Sequence, residues 1–361
     1  MKIAISAAET SGDLIASSIV KSLLEYQPDC QIEGLVGDKM TDAGCQRLWH
    51  IDQVNVMGIS EVVNKLPSLL RLRNSIVKHF SENKPDVFIG VDSPDFNFKI
   101  EQKLKERGVK TVHFISPSVW AWRSNRIKKI KASTDLMLCL LPFEVDFYEK
   151  NGQKALFVGH PLTEKLLPRQ NYKPSKKVLL MPGSREAEIK SLLPELLSAV
   201  NLMREKDSKI KFSLALANEN FKEWVQKQIN KLEIELSVGD AYTQIVKSDL
   251  VIVASGTATL EIAMLGVPMV VVYKLSGVSY QIVKRLLRTN FISLPNVILG
   301  KEVVPELIQE KANGKNIANV AMQIIVSDNS KLVSELRKVH TQLDQDSSAQ
   351  SAKAILEFVN E

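Results

Sequence analysis

The sequence predicts an α/β protein of two similar halves, each built on a parallel sheet. Two alternations and the segment between them carry this expectation. From residue 1 to 160, short apolar runs alternate with helical patterns, as strands and crossover helices of a parallel sheet do. The alternation restarts at Lys177, and the segment between, Gly159 to Pro174, carries prolines at 161, 168 and 174 and reads as an interdomain linker. At 361 residues the chain is long for a single core, which fits two Rossmann-like domains, 1–165 and 175–340. Two such sheets are expected to face a central cleft, with ligands beyond the carboxyl ends of the strands.

In the first half the predicted strands are Lys2–Ser6, Gln31–Val36, Asp86–Val91, Lys110–Ile115, Leu136–Leu140 and Ala155–Val158. Helices are expected at Asp13–Tyr26, Lys39–Gly44, Ile59–Phe80, Phe96–Arg107, Arg123–Lys131 and Phe143–Asn151. The second half reads as strand Lys177–Met181, helix Glu186–Glu205, strand Lys211–Ala217, helix Glu219–Asn230, strand Glu235–Val238 and helix Tyr242–Lys247. A strand at Val251–Ala254 follows, then a helix that Thr257 can cap, strand Met269–Val272 and helix Ser279–Leu287. The last segment, about 345–361, places Ala349, Ala352, Ile355, Leu356 and Val359 on one helical face, which is expected to pack on the first domain or on another subunit.

Hydrophobic residues at 45% and charged residues at 24% describe a globular chain with a sizeable core. No apolar run has the length of a membrane span, and the opening strand implies no signal peptide. Cys30, Cys45 and Cys139 share no metal or redox spacing and suit a reducing cytoplasm, and the five histidines are scattered, so neither a metal site nor a cofactor is expected. The net charge of +6 is compatible with anionic substrates, nucleic acid or an anionic membrane, and does not choose among them.

Four strand exits carry candidate chemistry. Ser255-Gly256 breaks a buried strand and delivers a helix N-terminus, where Ser255, Gly256, Thr257 and Ala258 offer free amides to a phosphate. Glu261, one turn inside, either accepts hydrogen bonds from a ribose or only offsets the helix dipole. At Met181-Pro-Gly183-Ser184-Arg185 a second such turn sets a guanidinium where it can clamp a diphosphate. In the first half, Glu9, Ser11 and Gly12 lie in a strand-to-helix turn that can cradle an anion or a sugar hydroxyl, with Ser11 and Asp13 alternatively serving as helix caps. Asp92 and Asp95, spaced around Pro94 just beyond a strand and followed by Asn97, offer a carboxylate as general base, or else an Asx turn with Asp95 as cap.

Apolar and basic residues also intermix on three segments. They are Val62, Val63, Leu66, Leu69, Leu70 and Leu72 with Lys65, Arg71 and Arg73; Trp120 and Trp122 with Arg123, Arg126, Lys128, Lys129 and Lys131; and Tyr280, Ile282, Val283, Leu286 and Leu287 with Lys284, Arg285 and Arg288. Each suits a core-facing helix with solvated charges, and the three together suit the surface of an anionic bilayer.

Taken in order, the turns resemble those of the lipid-A-disaccharide synthase family, membrane-surface glycosyltransferases of the GT-B fold. The marks are Glu9-Thr-Ser-Gly-Asp13, Val56-Met-Gly-Ile59, Val91-Asp-Ser-Pro-Asp-Phe-Asn97, Ser116-Pro-Ser-Val-Trp-Ala-Trp-Arg123 and Leu141-Pro-Phe-Glu144. Gly159-His-Pro161, Pro182-Gly-Ser-Arg185, Ala254-Ser-Gly-Thr-Ala-Thr-Leu-Glu261 and Ser293-Leu-Pro-Asn296 continue the pattern across nearly the whole chain. Ala8 departs from it, standing where the family usually has glycine. The resemblance implies transfer of 2,3-diacylglucosamine from its UDP derivative to 2,3-diacylglucosamine 1-phosphate, with inversion, giving the β-1,6-linked disaccharide phosphate and UDP. It implies Asp95 as base, Arg185 and the amides near Ser255–Thr257 against the diphosphate, Glu261 on the ribose, and Glu9 and Asn296 lining the cleft. Asp86 also matches a family aspartate, although its place at a strand start suits a structural role equally. The implied location is the cytoplasmic face of the inner membrane, peripherally bound, with a homo-oligomer left open.

Two other readings compete. Another GT-B enzyme of UDP-sugars, an epimerase of UDP-N-acetylglucosamine or a murein-precursor transferase, would share the second-half turns but has no use for three apolar-basic segments. A nucleic-acid-binding protein would need a recognisable module, and here the basic residues accompany aliphatic rather than stacking aromatic positions.

Overall fold

In the computed structural model, residues 1–54, 59–122, 126–170, 174–275 and 290–361 are described, side chains 59–65 and 121–122 excepted. The expected helix at 279–287, with its apolar-basic set, lies outside the described residues, as do 56–58 of the Val56–Ile59 motif and Arg123.

The first unit comprises Met1–Pro161 with Leu343–Glu361. Strands β1 (Lys2–Ala7), β2 (Gln31–Val36), β3 (Gln46–His50), β4 (Val87–Val91), β5 (Lys110–Phe114), β6 (Leu136–Cys139) and β7 (Lys154–Phe157) form one sheet in the order β3-β2-β1-β4-β5-β6-β7, all pairs parallel. Around it run α1 (Thr10–Tyr26), α2 (Asp38–Asp42), α3 (Ile59–Glu82), α4 (Pro94–Lys105), α5 (Val119–Trp122), α6 (Ile127–Ser133) and α7 (Pro142–Lys150).

Both faces of this sheet are covered, which explains why its central strands are continuously apolar. Ile3, Ile5 and Ala7 pack with Ile19, Val20 and Leu23 of α1, while Ala4 joins Ile76 and Phe80 of α3 and Ile100 and Leu104 of α4 on the other side. Strand β3 carries Gln46 and Arg47 on a half-exposed edge, so it lacks the apolar run by which the other strands were read.

The second unit is Leu162–Gln342. Strands β8 (Lys177–Met181), β9 (Lys211–Leu216), β10 (Ile234–Val238), β11 (Leu250–Ala254), β12 (Met269–Tyr273) and β13 (Glu306–Ile308) form a parallel sheet in the order β10-β9-β8-β11-β12-β13. Its helices are α8 (Glu186–Lys206), α9 (Lys222–Ile229), α10 (Ala241–Val246), α11 (Ala258–Met264), α12 (Leu294–Leu299), α13 (Gly314–Val326) and α14 (Ser330–Leu343). Leu192, Leu196, Val200 and Met203 of α8 and Ile317, Ala318 and Ala321 of α13 cover Val178 and Leu180 of β8. Two parallel-sheet α/β domains are therefore present, as the alternation predicts.

The last helix, α15 (Ser347–Asn360), belongs to the first unit. Ala352, Ala354 and Ile355 enter the core beside α1, Ser347 Oγ donates to the Gly159 carbonyl, and Lys110 Nζ caps the carbonyls of Phe358 and Val359 at 3.1 and 2.8 Å.

Candidate functional site

In each sheet the strand order reverses at one place, and the loops leaving the two strands there become neighbours. In the first sheet these are β1 and β4, in the second β8 and β11. The four exits singled out in the sequence are these four loops.

In the first unit, Asp92 and Ser93 both take left-handed backbone (φ 50° and 43°), as does Ile115 (φ 78°) at the neighbouring exit of β5. Such conformations cost on the order of 1–3 kcal/mol each for residues other than glycine and persist where surrounding bonds impose them. Asn97 supplies those bonds. Its fully buried amide donates to the carbonyls of Ser6, Val91 and Asp92 at 3.2, 3.1 and 2.9 Å and accepts from Ser6 Oγ at 2.7 Å. It was read as touching substrate, but its bonding capacity is spent inside the turn it braces.

The turn directs Asp95 outward in the first helical turn of α4, behind Pro94, with 90% of its side chain exposed. Ser93, not Asp95, stands at the N-cap position. Arg126 Nη2 lies 3.7 Å from Asp95 Oδ1, a loose pair on a wet surface that restrains the carboxylate only weakly. A pocket of about 820 Å³ brings Asp95 together with Ser93, Pro94, Phe96, Leu69 and the β1 exit residues Glu9, Thr10 and Ser11. Ser93 Oγ donates to Glu9 Oε1 at 2.9 Å and ties the two exits. Asp92 and Gly12 are not in its lining; Gly12 is buried within α1.

Asp13 proves to be a cap, but of a different helix from the one it sits in. Buried, it accepts from the amides of Gly37, Lys39 and Met40 at 2.8, 3.0 and 3.2 Å, closing the N-terminus of α2. Asp86, bonded to the Lys2 amide at 2.7 Å, sits at the start of β4, away from the strand exits, in the structural role its position suggested.

In the second unit a pocket of about 250 Å³ gathers Gly183, Ser184, Ser255, Gly256, Thr257, Ala258 and Glu261. Gly183 has φ 108°, and a Cβ there would lie 2.6 Å from Glu188 Oε2, so glycine is required twice over. Glu188 was not read from the sequence. It lines the pocket, accepts from the Ser184 and Arg185 amides at 3.3 Å each, and takes Arg185 Nη1 at 2.9 Å. The signal for it was present: an acidic residue three positions after an N-cap is the capping-box spacing. Arg185 itself stands at that N-cap with 81% of its side chain exposed and is not part of the pocket wall.

At the β11 exit, Ser255 Oγ donates to the Ile292 carbonyl at 2.9 Å and Thr259 Oγ1 to the Gly256 carbonyl at 2.7 Å. Thr257 occupies the N-cap position of α11, yet its hydroxyl makes no capping bond, contrary to expectation; its backbone is already helical, which carries the side chain away from the amides it would cap. Burial raises the Glu261 carboxyl above its ordinary range, and no side chain or amide of the described residues is bonded to it. Ala215, Leu216, Ala217 and Ala241 complete an apolar wall that no motif announced.

Asn296 is fully buried: it donates to the Val304 carbonyl and Glu306 at 2.8 Å each and accepts from the Val303 and Val304 amides at 2.7 and 2.9 Å. Read as lining the cleft, it is instead the brace that joins α12 to the approach of β13. Of the apolar-basic residues, Leu66 and Leu70 are exposed on α3, whereas Leu72 packs on the core. Trp120 packs edge-on against Phe143 with ring centres 4.6 Å apart. Among the described residues no helix is long and apolar enough to cross a membrane, and no group of three His, Cys, Asp or Glu side chains is placed to hold a metal ion.

The family model for lipid-A-disaccharide synthetase matches residues 3–359. Lipid-A-disaccharide synthases of Idiomarina loihiensis and Aeromonas hydrophila are each 38% identical over 372 and 373 positions, covering 99% of this chain and 98% of theirs. Among solved structures, the UDP complex of MnaA from S. aureus superposes with a TM-score of 0.68 at 15% identity, covering 99% of this chain and 97% of that one. MurG of Acinetobacter baumannii gives 0.60 at 12% identity, covering 99% of each. At such identities these neighbours establish the fold, which is GT-B.

Proposed function

The chain belongs to the lipid-A-disaccharide synthase family, and on that premise we propose how its residues divide the family's reaction. The enzyme is a hexosyltransferase of lipid A biosynthesis, taking a UDP-sugar donor and a sugar-phosphate acceptor. It joins 2,3-diacylglucosamine from UDP-2,3-diacylglucosamine to 2,3-diacylglucosamine 1-phosphate and releases UDP.

An α-linked donor and a β-linked product require one in-line displacement. The acceptor 6-hydroxyl oxygen bonds to C1 as the bond from C1 to the diphosphate oxygen breaks, and the electron pair leaves on UDP. In our reading Asp95 takes the hydroxyl proton; its exposed carboxylate at a braced exit is suited to reach a bound sugar. Arg185, which swings from its bond to Glu188, and the amides of Gly256 and Thr257 neutralise the leaving diphosphate, the Ser255 amide being already given to the Val272 carbonyl at 3.0 Å. Glu261 accepts from the ribose hydroxyls. The observation that carries the assignment is the second-unit pocket, which brings both Gly-bearing exits and an unpartnered carboxylate to one place.

The test is product formation in mixed micelles. Disaccharide phosphate and UDP are expected from the diacylated pair, with UDP-N-acetylglucosamine inert as donor; epimerisation of UDP-N-acetylglucosamine, or transfer to a water-soluble acceptor instead, overturns it. We also propose peripheral contact with an anionic bilayer through Leu66 and Leu70 of α3, exposed beside the pocket residue Leu69. Co-sedimentation with anionic vesicles is expected to fall in Leu66→Asp/Leu70→Asp; unchanged sedimentation removes that part.

A further inference from the structure

Beside the apolar Ile100 and Leu104, α4 sets a polar stripe against its sheet. Asn97, Glu101 and Lys105 recur at intervals of four and so lie along one side of the helix. Asn97 braces the exits of β1 and β4 through the Ser6 and Val91 carbonyls. Lys105 Nζ, at the other end, donates to the carbonyls of Lys131 and Thr134 at 2.9 and 3.1 Å and meets Asp135 Oδ1 at 2.9 Å. Between them Glu101 is fully buried and held at both carboxyl oxygens. Oε1 is bonded to His113 Nδ1 of β5 at 2.6 Å, and Oε2 accepts from Thr134 Oγ1 in the connection from α6 to β6. Gly90 of β4 makes the room, since a Cβ there would run into Glu101 Oε1.

For stability alone this is a poor choice. Three polar side chains are withdrawn from water, and His113 Nε2, under the ring of Phe98, has no hydrogen-bond partner among the described residues. An apolar pair of similar volume would hold the helix as well or better. What the bonds add is direction. Apolar side chains tolerate a slide of the helix along the sheet, whereas a carboxyl tied to two different elements does not. Six residues before it, about 9 Å along the helix, stands Asp95.

We propose that Glu101 is a positioning residue: its bonds to His113 and Thr134 fix where α4 lies on the sheet, and so where Asp95 meets the acceptor hydroxyl. The inference rests on the reading of Asp95 as base. A slide of the helix by one residue's rise is about 1.5 Å. A displacement of about 1 Å at reacting groups is enough to cost on the order of 100-fold in rate. Removing the pair should therefore slow transfer and leave UDP binding alone, because the pocket assigned to UDP lies in the other unit.

The experiment measures kcat at saturating donor and acceptor, UDP affinity and melting. The proteins are wild type, Glu101→Gln, the double variant Glu101→Met/His113→Leu, Asp95→Asn, and the triple variant that combines the last two. Glu101→Gln keeps the length of the side chain and can bond both partners, and is expected within about threefold of wild type. The double variant is expected to melt at or above wild type and bind UDP equally, yet to lose at least about tenfold in kcat. In the Asp95→Asn background the same two changes should cost less than about threefold, because no carboxylate is left to misplace. A wild-type kcat in the double variant overturns the proposal, as does a Glu101→Gln as slow as the double variant, or the full loss repeated in the Asp95→Asn background. Where the double variant melts well below wild type, the isosteric Thr134→Val decides: a kcat lower by at least about threefold with UDP affinity unchanged supports the proposal, and a wild-type kcat overturns it. Full activity of Asp95→Asn beside a slow double variant removes the base reading and leaves Glu101 as what places α4; an inert Asp95→Asn beside a normal double variant does the reverse.

Discussion

Replacing Glu261 by Gln should make the protein more stable and the donor weaker, and the opposed signs are what make the change informative. The carboxyl lines the second-unit pocket, is raised by burial, and has no protein partner among the described residues. A charge held in that position without compensation costs stability, so the neutral amide is expected to gain from a few tenths to about 1 kcal/mol, as substitutions that relieve functional strain do. In the complex the ribose hydroxyls donate to the carboxylate, and a hydrogen bond to a charged group contributes about 1.5–3 kcal/mol where a neutral one gives about 1. The difference, about 0.5–2 kcal/mol, should weaken UDP binding by about 2- to 30-fold. The pH dependence has a defined sign. Because the folded carboxyl is raised, stability is greatest below its ordinary range and declines as pH rises through the raised value, while UDP affinity rises over the same interval; the Gln variant should lose both trends. Calorimetric titration with UDP and thermal melting at two pH values read all of this. A Gln variant that melts lower and binds UDP as wild type does would mean that Glu261 serves the fold, and the ribose assignment would be refuted.

Arg185→Lys keeps the charge but gives up the planar fork, and kcat is expected to fall about 10- to 100-fold with the fold intact, measured as UDP release under saturating donor. Gly183→Ala forces a Cβ to within 2.6 Å of Glu188 Oε2 at φ 108°. It is expected to cost about 2 kcal/mol in denaturant unfolding and to weaken UDP binding; unchanged values for both would show that the turn tolerates a side chain.

The sheets were legible because buried parallel strands are apolar on both faces. Val251–Ala254 and Val87–Val91 announce themselves by composition alone. The edges were not, since β3 and β13 are short and half exposed and their residues obey no clear alternation. The helices α13 and α14 are not among the predicted elements, although Ile317, Ala318 and Ala321 follow helical spacing.

At the site, glycine, proline and strand endings located the loops, because backbone geometry leaves a mark in residue type. The task of each polar side chain left no such mark. Asn97 and Asn296 stand in site motifs as a ligand contact would, yet both are spent bracing backbone. Asp13 closes a helix 25 residues further on, at Asp38, a partnership only the fold creates. Glu188 stands at the capping-box spacing from Arg185, which marks its bond to the helix end but not its place in the pocket wall.

Transfer by wild type and Asp95→Asn in mixed micelles with the diacylated donor and acceptor, UDP binding being measured in parallel, tests the assigned base most directly. Disaccharide phosphate is expected from wild type, and from Asp95→Asn a kcat lower by about 10²- to 10⁴-fold with UDP affinity and melting unchanged. Equal turnover by the two proteins would contradict the assignment of the base.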